Sequence, residues 1–260
     1  MERHKAVVLR RQMFSNTSLE LSVWSRRIGW MEVTARGMMR SKNNRLGDVA
    51  DEFDVSEIVV YRKANSLYSI LVEHNLIAPG TALRVDWVKY GAMAMVRDLI
   101  GDIWRGYPAD EDDAWRVYNV LVELLGAAER MDGIILGVAG VMRVLDAAGV
   151  APQLEQCPVC ARTASHNGWI LSWKEGGLVC GDCATSRGRS PEGPIIDQGL
   201  AGVLRRVATM RIEALTPLRA PSAARVAKLL AALAVWCQGV MDARTRAFEW
   251  LGTVLEGSRR

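Results

Sequence analysis

Histidine is scarce in this sequence: His4, His74 and His166 are all there is. None stands in a serine–acid or cysteine pattern that would build a triad. No G-x-x-x-x-G-K-[ST] loop occurs, and Gly137-Val138-Ala139-Gly140 lies inside a helical pattern, not at a phosphate loop. A triad hydrolase and a nucleotide-driven engine are therefore not expected, and the chain reads as a non-enzyme. Long apolar runs are missing too. Ala6 to Leu9 is too short for a signal-peptide core, and Leu229 to Met241, broken by Gln238, falls short of a membrane span. The expectation is a cytoplasmic protein with no membrane partner. Internal repeats and low-complexity tracts are absent. The acidic run Asp110 to Asp113 suits a helix start, where the dipole favours negative charge, better than a divalent-metal site.

Charge is present but unevenly spread. The formal net charge is +4. Residues 1–45 hold ten basic groups (Arg3, Lys5, Arg10, Arg11, Arg26, Arg27, Arg36, Arg40, Lys42, Arg45) against Glu2, Glu20 and Glu32. That end carries the whole positive excess, and the remainder is slightly acidic. A concentrated basic end points to a polyanionic partner.

Five cysteines are present, and four form two C-x-x-C pairs: Cys157/Cys160 and Cys180/Cys183. Two such pairs nineteen residues apart have the spacing of a four-cysteine zinc site, because two thiolates on each tight turn complete a tetrahedron. Two disulfides or four unrelated thiols are the alternatives. A reducing compartment favours thiolates. Four sulfurs leave no open position, so the expected Zn2+ is structural, one per chain. The intervening segment reads as a hairpin, with Gly168 to Trp173 before Gly176-Gly177. Gly181 inside the second pair suggests positive φ. His166 reads as solvent-exposed, and Cys237, in an apolar helix, as a small buried residue.

Along the chain the period changes once. Lys5–Arg11, Leu19–Ser25, Trp30–Arg36, Val55–Lys63 and Leu67–Glu73 read as strands, separated by turn chemistry at 15–18, 26–29 and 64–66. Residues 38–52 form a basic loop. Five short strands without a long helix suggest a small closed barrel of the OB type. After Pro79-Gly80 the pattern is helical: 82 onward, 114–130, 133–147 stopped by Gly149, 197–210, 222–238 and 241–256. The predicted organisation is an OB-fold barrel over 1–79 and a helical domain over 80–260, with a zinc hairpin at 155–186.

With these pieces in order, the chain resembles the RecO family of bacterial recombination mediators. Val7-Val8-Leu9-Arg10-Arg11 looks like that family's first strand. Gly29 with Thr34-Ala35-Arg36-Gly37 looks like its glycine and its segment leading into a basic loop, and Val60-Tyr61-Arg62 fits the strand that follows. Leu145 to Pro152 before Cys157, and Gly176-Gly177-Leu178-Val179-Cys180, resemble the approach to its cysteine motif. Ser25 stands where the family usually has threonine. The resemblance covers roughly residues 1–250. It implies an OB domain, a helical domain and a zinc hairpin. It further implies a protein that binds single- and double-stranded DNA and anneals complementary strands. With RecR it would help RecA displace the single-stranded-DNA-binding protein at the nucleoid.

Arg36, Arg40, Lys42 and Arg45, on or beside a barrel loop, are the expected DNA contacts, since such groups neutralise phosphates. Arg10, Arg11, Arg26 and Arg27 are read either as an extension of that surface or as solvated charge, the two weighed equally. Trp24, Trp30, Tyr61 and Tyr68 are candidates for stacking on bases, with barrel packing as the alternative. The competing function is a zinc-ribbon scaffold or adaptor that contacts proteins only.

Overall fold

The computed structural model describes residues 1–39, 48–62, 68–186, 192–243 and 246–257. They divide into two compact units, one of 1–87 with 104–129 and one of 88–103 with 130–260.

The first unit is built on a closed five-stranded barrel: β1 (Glu2–Ser15), β2 (Ser18–Ser25), β3 (Gly29–Ala35), β4 (Val55–Arg62) and β5 (Tyr68–Ala78). The order around it is β1-β2-β3-β5-β4, and β1 pairs β4 to close it. Only β3–β5 is parallel. The five strands expected from alternation are all present, in an OB-like barrel. β1 and β5 run past their predicted ends. β1 has two jobs: Glu2–Val7 pair with β4, Ala6–Ser15 with β2, and a register shift between Val8 and Arg10 bends it from one neighbour to the other. Its polar ends follow from pairing, which alternation does not report. Inside lie Val8, Leu21, Val23, Met31, Val33, Ile58 and Val60, all at most 5% exposed.

Polar pins hold the barrel's ends. Buried Asp54 accepts from Gly80 N–H (2.9 Å) and from Arg84 Nη1 (2.8 Å), fixing the exit from β5. An Asp54→Ala variant removes the acceptor for the buried Gly80 N–H and one of several partners of Arg84, which keeps the Glu52 carbonyl and Asp51, an expected loss of about 2 kcal/mol in a denaturant melt. His74 is buried, and its Nδ1 lies 2.9 Å from the Asp48 carbonyl. A carbonyl only accepts, so Nδ1 carries the proton and Nε2 accepts from the Ser56 hydroxyl at 2.9 Å. Burial lowers the pKa of this imidazole, in keeping with a neutral ring.

Helices α1 (Thr81–Arg84) and α2 (Trp87–Trp104) follow, then α3 (Glu111–Ala127). The acidic run does start α3: Asp110 is its N-cap and accepts from Asp113 N–H. Patterning places everything after 79 in a helical domain, whereas in space 104–129 groups with the barrel. The reason is Trp24. It is fully buried, donates from Nε1 to the Ala114 carbonyl (2.9 Å), and meets the Trp104 ring edge-on at 5.1 Å. Trp24 is therefore part of the packing and does not stack on bases.

In the second unit, α4 (Gly133–Ala147) is buried on nearly every side and capped by Asp132, which accepts from Ile134 and Ile135 N–H. Gly137 lets it approach Ala92 of α2 closely. The C-terminal stop at Gly149 has positive φ, as predicted. Next come β6 (Trp169–Ser172), β7 (Gly177–Cys180), α5 (Gly181–Ser186), α6 (Gln198–Thr209), α7 (Ala223–Met241) and α8 (Arg246–Gly257). By length and composition α7 is long and apolar enough to cross a membrane. Its Leu229, Leu230, Leu233, Trp236 and Cys237 are all buried in this unit. Burial pushes the Cys237 thiol up to about 12, as expected of an inert core residue.

Candidate nucleic-acid interface and metal centre

The four cysteines meet. Their sulfurs all lie within 4.8 Å of one another, and Cys160 Sγ is 3.7 Å from Cys180 Sγ. A metal bound to four thiolates at about 2.3 Å sets its sulfurs about 3.8 Å apart, so the donor set fits a tetrahedral site. No disulfide links them. The first knuckle closes by Ala161 N–H donating to the Cys157 carbonyl, with Ala161 itself at φ +59°. The second begins where β7 ends, and Cys183 rides on α5. Arg162 pairs with Asp182 (2.8 Å) and Asn167 donates to the same carboxylate, tying one knuckle to the other.

Gly181 is required, but not for the predicted reason. Its φ is not positive. A Cβ there would run into the Asn167 carbonyl, so the constraint is close backbone approach. Burial raises the Cys157 thiol, yet N–H groups of Cys180, Val159 and Cys160 outweigh it and bring it to about 7. Burial and the neighbouring sulfurs push Cys183 up to about 12. Four thiolates this close need a cation among them. His166 is exposed and stands outside the cluster.

The basic residues separate into distinct places. Arg36 is exposed in the turn after β3. Arg40, Lys42 and Arg45 lie outside the described residues. Neighbours on β1 diverge. Arg11 faces acid: its guanidinium is 3.3 Å from Asp51 and its N–H donates to Glu52. Arg10 instead lines a groove of about 640 Å³ on the outer face of the barrel. There Arg10, Ser22 and Glu32 sit opposite one another across β1, β2 and β3.

Three more arginines line the same groove: Arg27 from the β2–β3 turn, Arg62 from the end of β4, and Arg105 just past α2. Arg105 packs over the Trp30 ring at 4.8 Å. Trp30 is half-buried, and its Nε1 donates to Glu32 (2.8 Å), which also accepts from Ser22 Oγ (2.9 Å). Exposed Tyr107 completes the edge. Sequence reasoning missed Arg62, Arg105 and Tyr107. Arg62 comes just before Ala64-Asn65-Ser66, whose residue types read as a turn, a signal within reach. Arg105 and Tyr107 read only as a helix end, and nothing local reports that the chain returns to the barrel. Tyr61 is exposed, and the Tyr68 side chain lies outside the described residues.

Comparison with known proteins gives the lineage. The model described as "Recombination protein O N terminal" matches residues 1–78, and "Recombination protein O C terminal" matches 86–247. The chain belongs to the RecO family. A DNA repair protein RecO of Anaeromyxobacter dehalogenans is 26% identical over 254 residues, covering 96% of this chain and 97% of that protein. One from Desulfitobacterium hafniense strain Y51 is 22% identical over 247 residues, covering 94% of this chain and 86% of that protein. One from Alkaliphilus metalliredigens is 26% identical over 181 residues, covering 68% and 69%. Set against the RecO family segments, the groove is mixed. Arg10, Arg27 and Arg62 come from the N-terminal match, Arg105 and Tyr107 from the C-terminal one.

Proposed function

We propose that this protein is a DNA-binding recombination mediator. It anneals complementary single strands and, with RecR, assists RecA in replacing the single-stranded-DNA-binding protein during repair. One observation carries the DNA reading: four arginines from separate elements surround one groove on an OB-like barrel, a fold whose strand 2–3 face binds oligonucleotides. Cations held by separate elements form a track for a phosphate backbone, and their charge lowers the repulsion between two DNA strands that must pair. Arg36, Arg40, Lys42 and Arg45 add further phosphate contacts, as do Arg10, which lines the groove, and Arg11, which is shared with Asp51. Family membership supports the same role.

The protein works without catalysis, in the bacterial cytoplasm at the nucleoid. Cys157, Cys160, Cys180 and Cys183 hold one Zn2+. Its chemistry is that of a closed, structural ion that cross-links two turns.

The triple variant Arg36→Ala, Arg40→Ala, Lys42→Ala is the test. Its affinity for single-stranded DNA should fall alike for all sequences. The slope of log affinity against log salt should shrink by about 2, near 0.7 for each phosphate no longer neutralised. An unchanged slope in a two-salt titration would remove these residues from the interface.

A further inference from the structure

We infer that the groove beside Trp30 is a base-stacking slot for single-stranded DNA, completed by Arg105 and Tyr107, which holds the strand with bases inward and phosphates outward. This rests on the DNA-binding reading above and adds to it the strand's orientation and the residues that set it.

The charge layout gives the orientation. Glu20 of β2 and Glu32 of β3 lie half-buried on the sheet face of the groove beside Arg10 of β1, while Arg27, Arg62 at the end of β4 and Arg105 are exposed. Two carboxylates against one guanidinium leave the half-buried sheet face net negative, and the three exposed guanidinium groups attract phosphate. A base has the opposite preference: it is uncharged, and its amino groups can donate to a carboxylate. The strand therefore sits with its bases toward β2 and β3. A duplex has its bases already paired inside and cannot present them, so the slot selects single strands.

Stacking supplies the second half. The Trp30 indole is set in place by its bond to Glu32, and Glu32 by Ser22. Its present planar neighbour is the Arg105 guanidinium. A base entering the slot replaces one flat partner with another, and Arg105 is released toward the backbone of the same nucleotide. Tyr107, 72% exposed next to Pro108, offers a second ring at the edge. Rings of this kind accept any base, since every base has a π-face.

The test uses the full-length chain and three labelled probes in fluorescence anisotropy at one salt concentration: a dT 20-mer, an abasic 20-mer backbone, and a 20-base-pair duplex. Wild type should bind the dT 20-mer about fivefold or more tighter than the abasic strand, the value of a single stacked base. Trp30→Leu should erase most of that ratio, leaving abasic and duplex affinities and the salt slope unchanged, and Trp30→Phe should restore part of it. Tyr107→Leu, in an exposed loop without a packing role, should lower the ratio on its own. Equal dT affinity in wild type and both leucine variants overturns the slot, as does an equal loss on all three probes. If wild type binds none of the probes, the DNA-binding reading falls and the slot with it.

Discussion

Replacing Cys157 with serine is expected to abolish metal binding and unfold the hairpin of the second unit. Wild type purified without chelator should carry one zinc per chain by elemental analysis, and the variant close to none. The expected size follows from what holds the segment. Between 155 and 186 the regular backbone pairing is two four-residue strands and one short helix. A two-stranded hairpin this short is not stable by itself in water. Metal binding in small cysteine sites is worth on the order of 10 kcal/mol of folding free energy, far above what Arg162–Asp182, an exposed pair, adds. Amide exchange over 153–186 should therefore accelerate by orders of magnitude in the variant or after chelation. Exchange in β1–β5 should stay at its wild-type rate. Metal-free protein with unchanged protection in the hairpin would contradict the assignment.

Trp24→Ala should have the largest effect in the first unit. The side chain is fully buried, and its removal takes away the edge-on packing with Trp104 and the hydrogen bond to Ala114. Truncating a buried aromatic to alanine typically costs about 3–5 kcal/mol, a large part of the total stability of a domain. The loss should appear as a lowered midpoint in urea and as faster amide exchange over 111–127. Trp24→Phe keeps a ring but no N–H, and should fall between. If exchange in α3 were the same in all three proteins, Trp24 would not be what joins that helix to the barrel.

Much of the fold was legible because its signals are local. Met31, Val33 and Ala35 alternate, so β3 could be read from three residues. Cys157/Cys160 and Cys180/Cys183 carry their own spacing, so the four-cysteine cluster could be read from the sequence alone. The groove was not legible in this way. Arg10 and Arg11 are neighbours with the same side chain, yet one lines the groove and the other pairs with Asp51. Alternation along the strand divides them, and the register shift between Val8 and Arg10 sets which of the two faces the groove. Arg105 is a starker case. Nothing between 88 and 110 shows that the chain comes back to a barrel finished thirty residues earlier. Trp24, read as a candidate for stacking, is the residue that brings it back, and its role depends on Ala114, ninety positions away.

The return of 104–129 to the barrel also sets a schedule for synthesis. All five strands have left the ribosome's catalytic centre by residue 78, but the indole of Trp24 has no cover until residue 114 and its helix are made. At about 5–20 residues per second, the stretch from 79 to 129 takes roughly 3–10 s. During that interval a nascent barrel displays an unsatisfied indole N–H and a large apolar ring, a surface that chaperones bind and that promotes aggregation. A gene truncated at residue 79 would leave its product in that state permanently, whereas one ending at 129 would supply the missing lid.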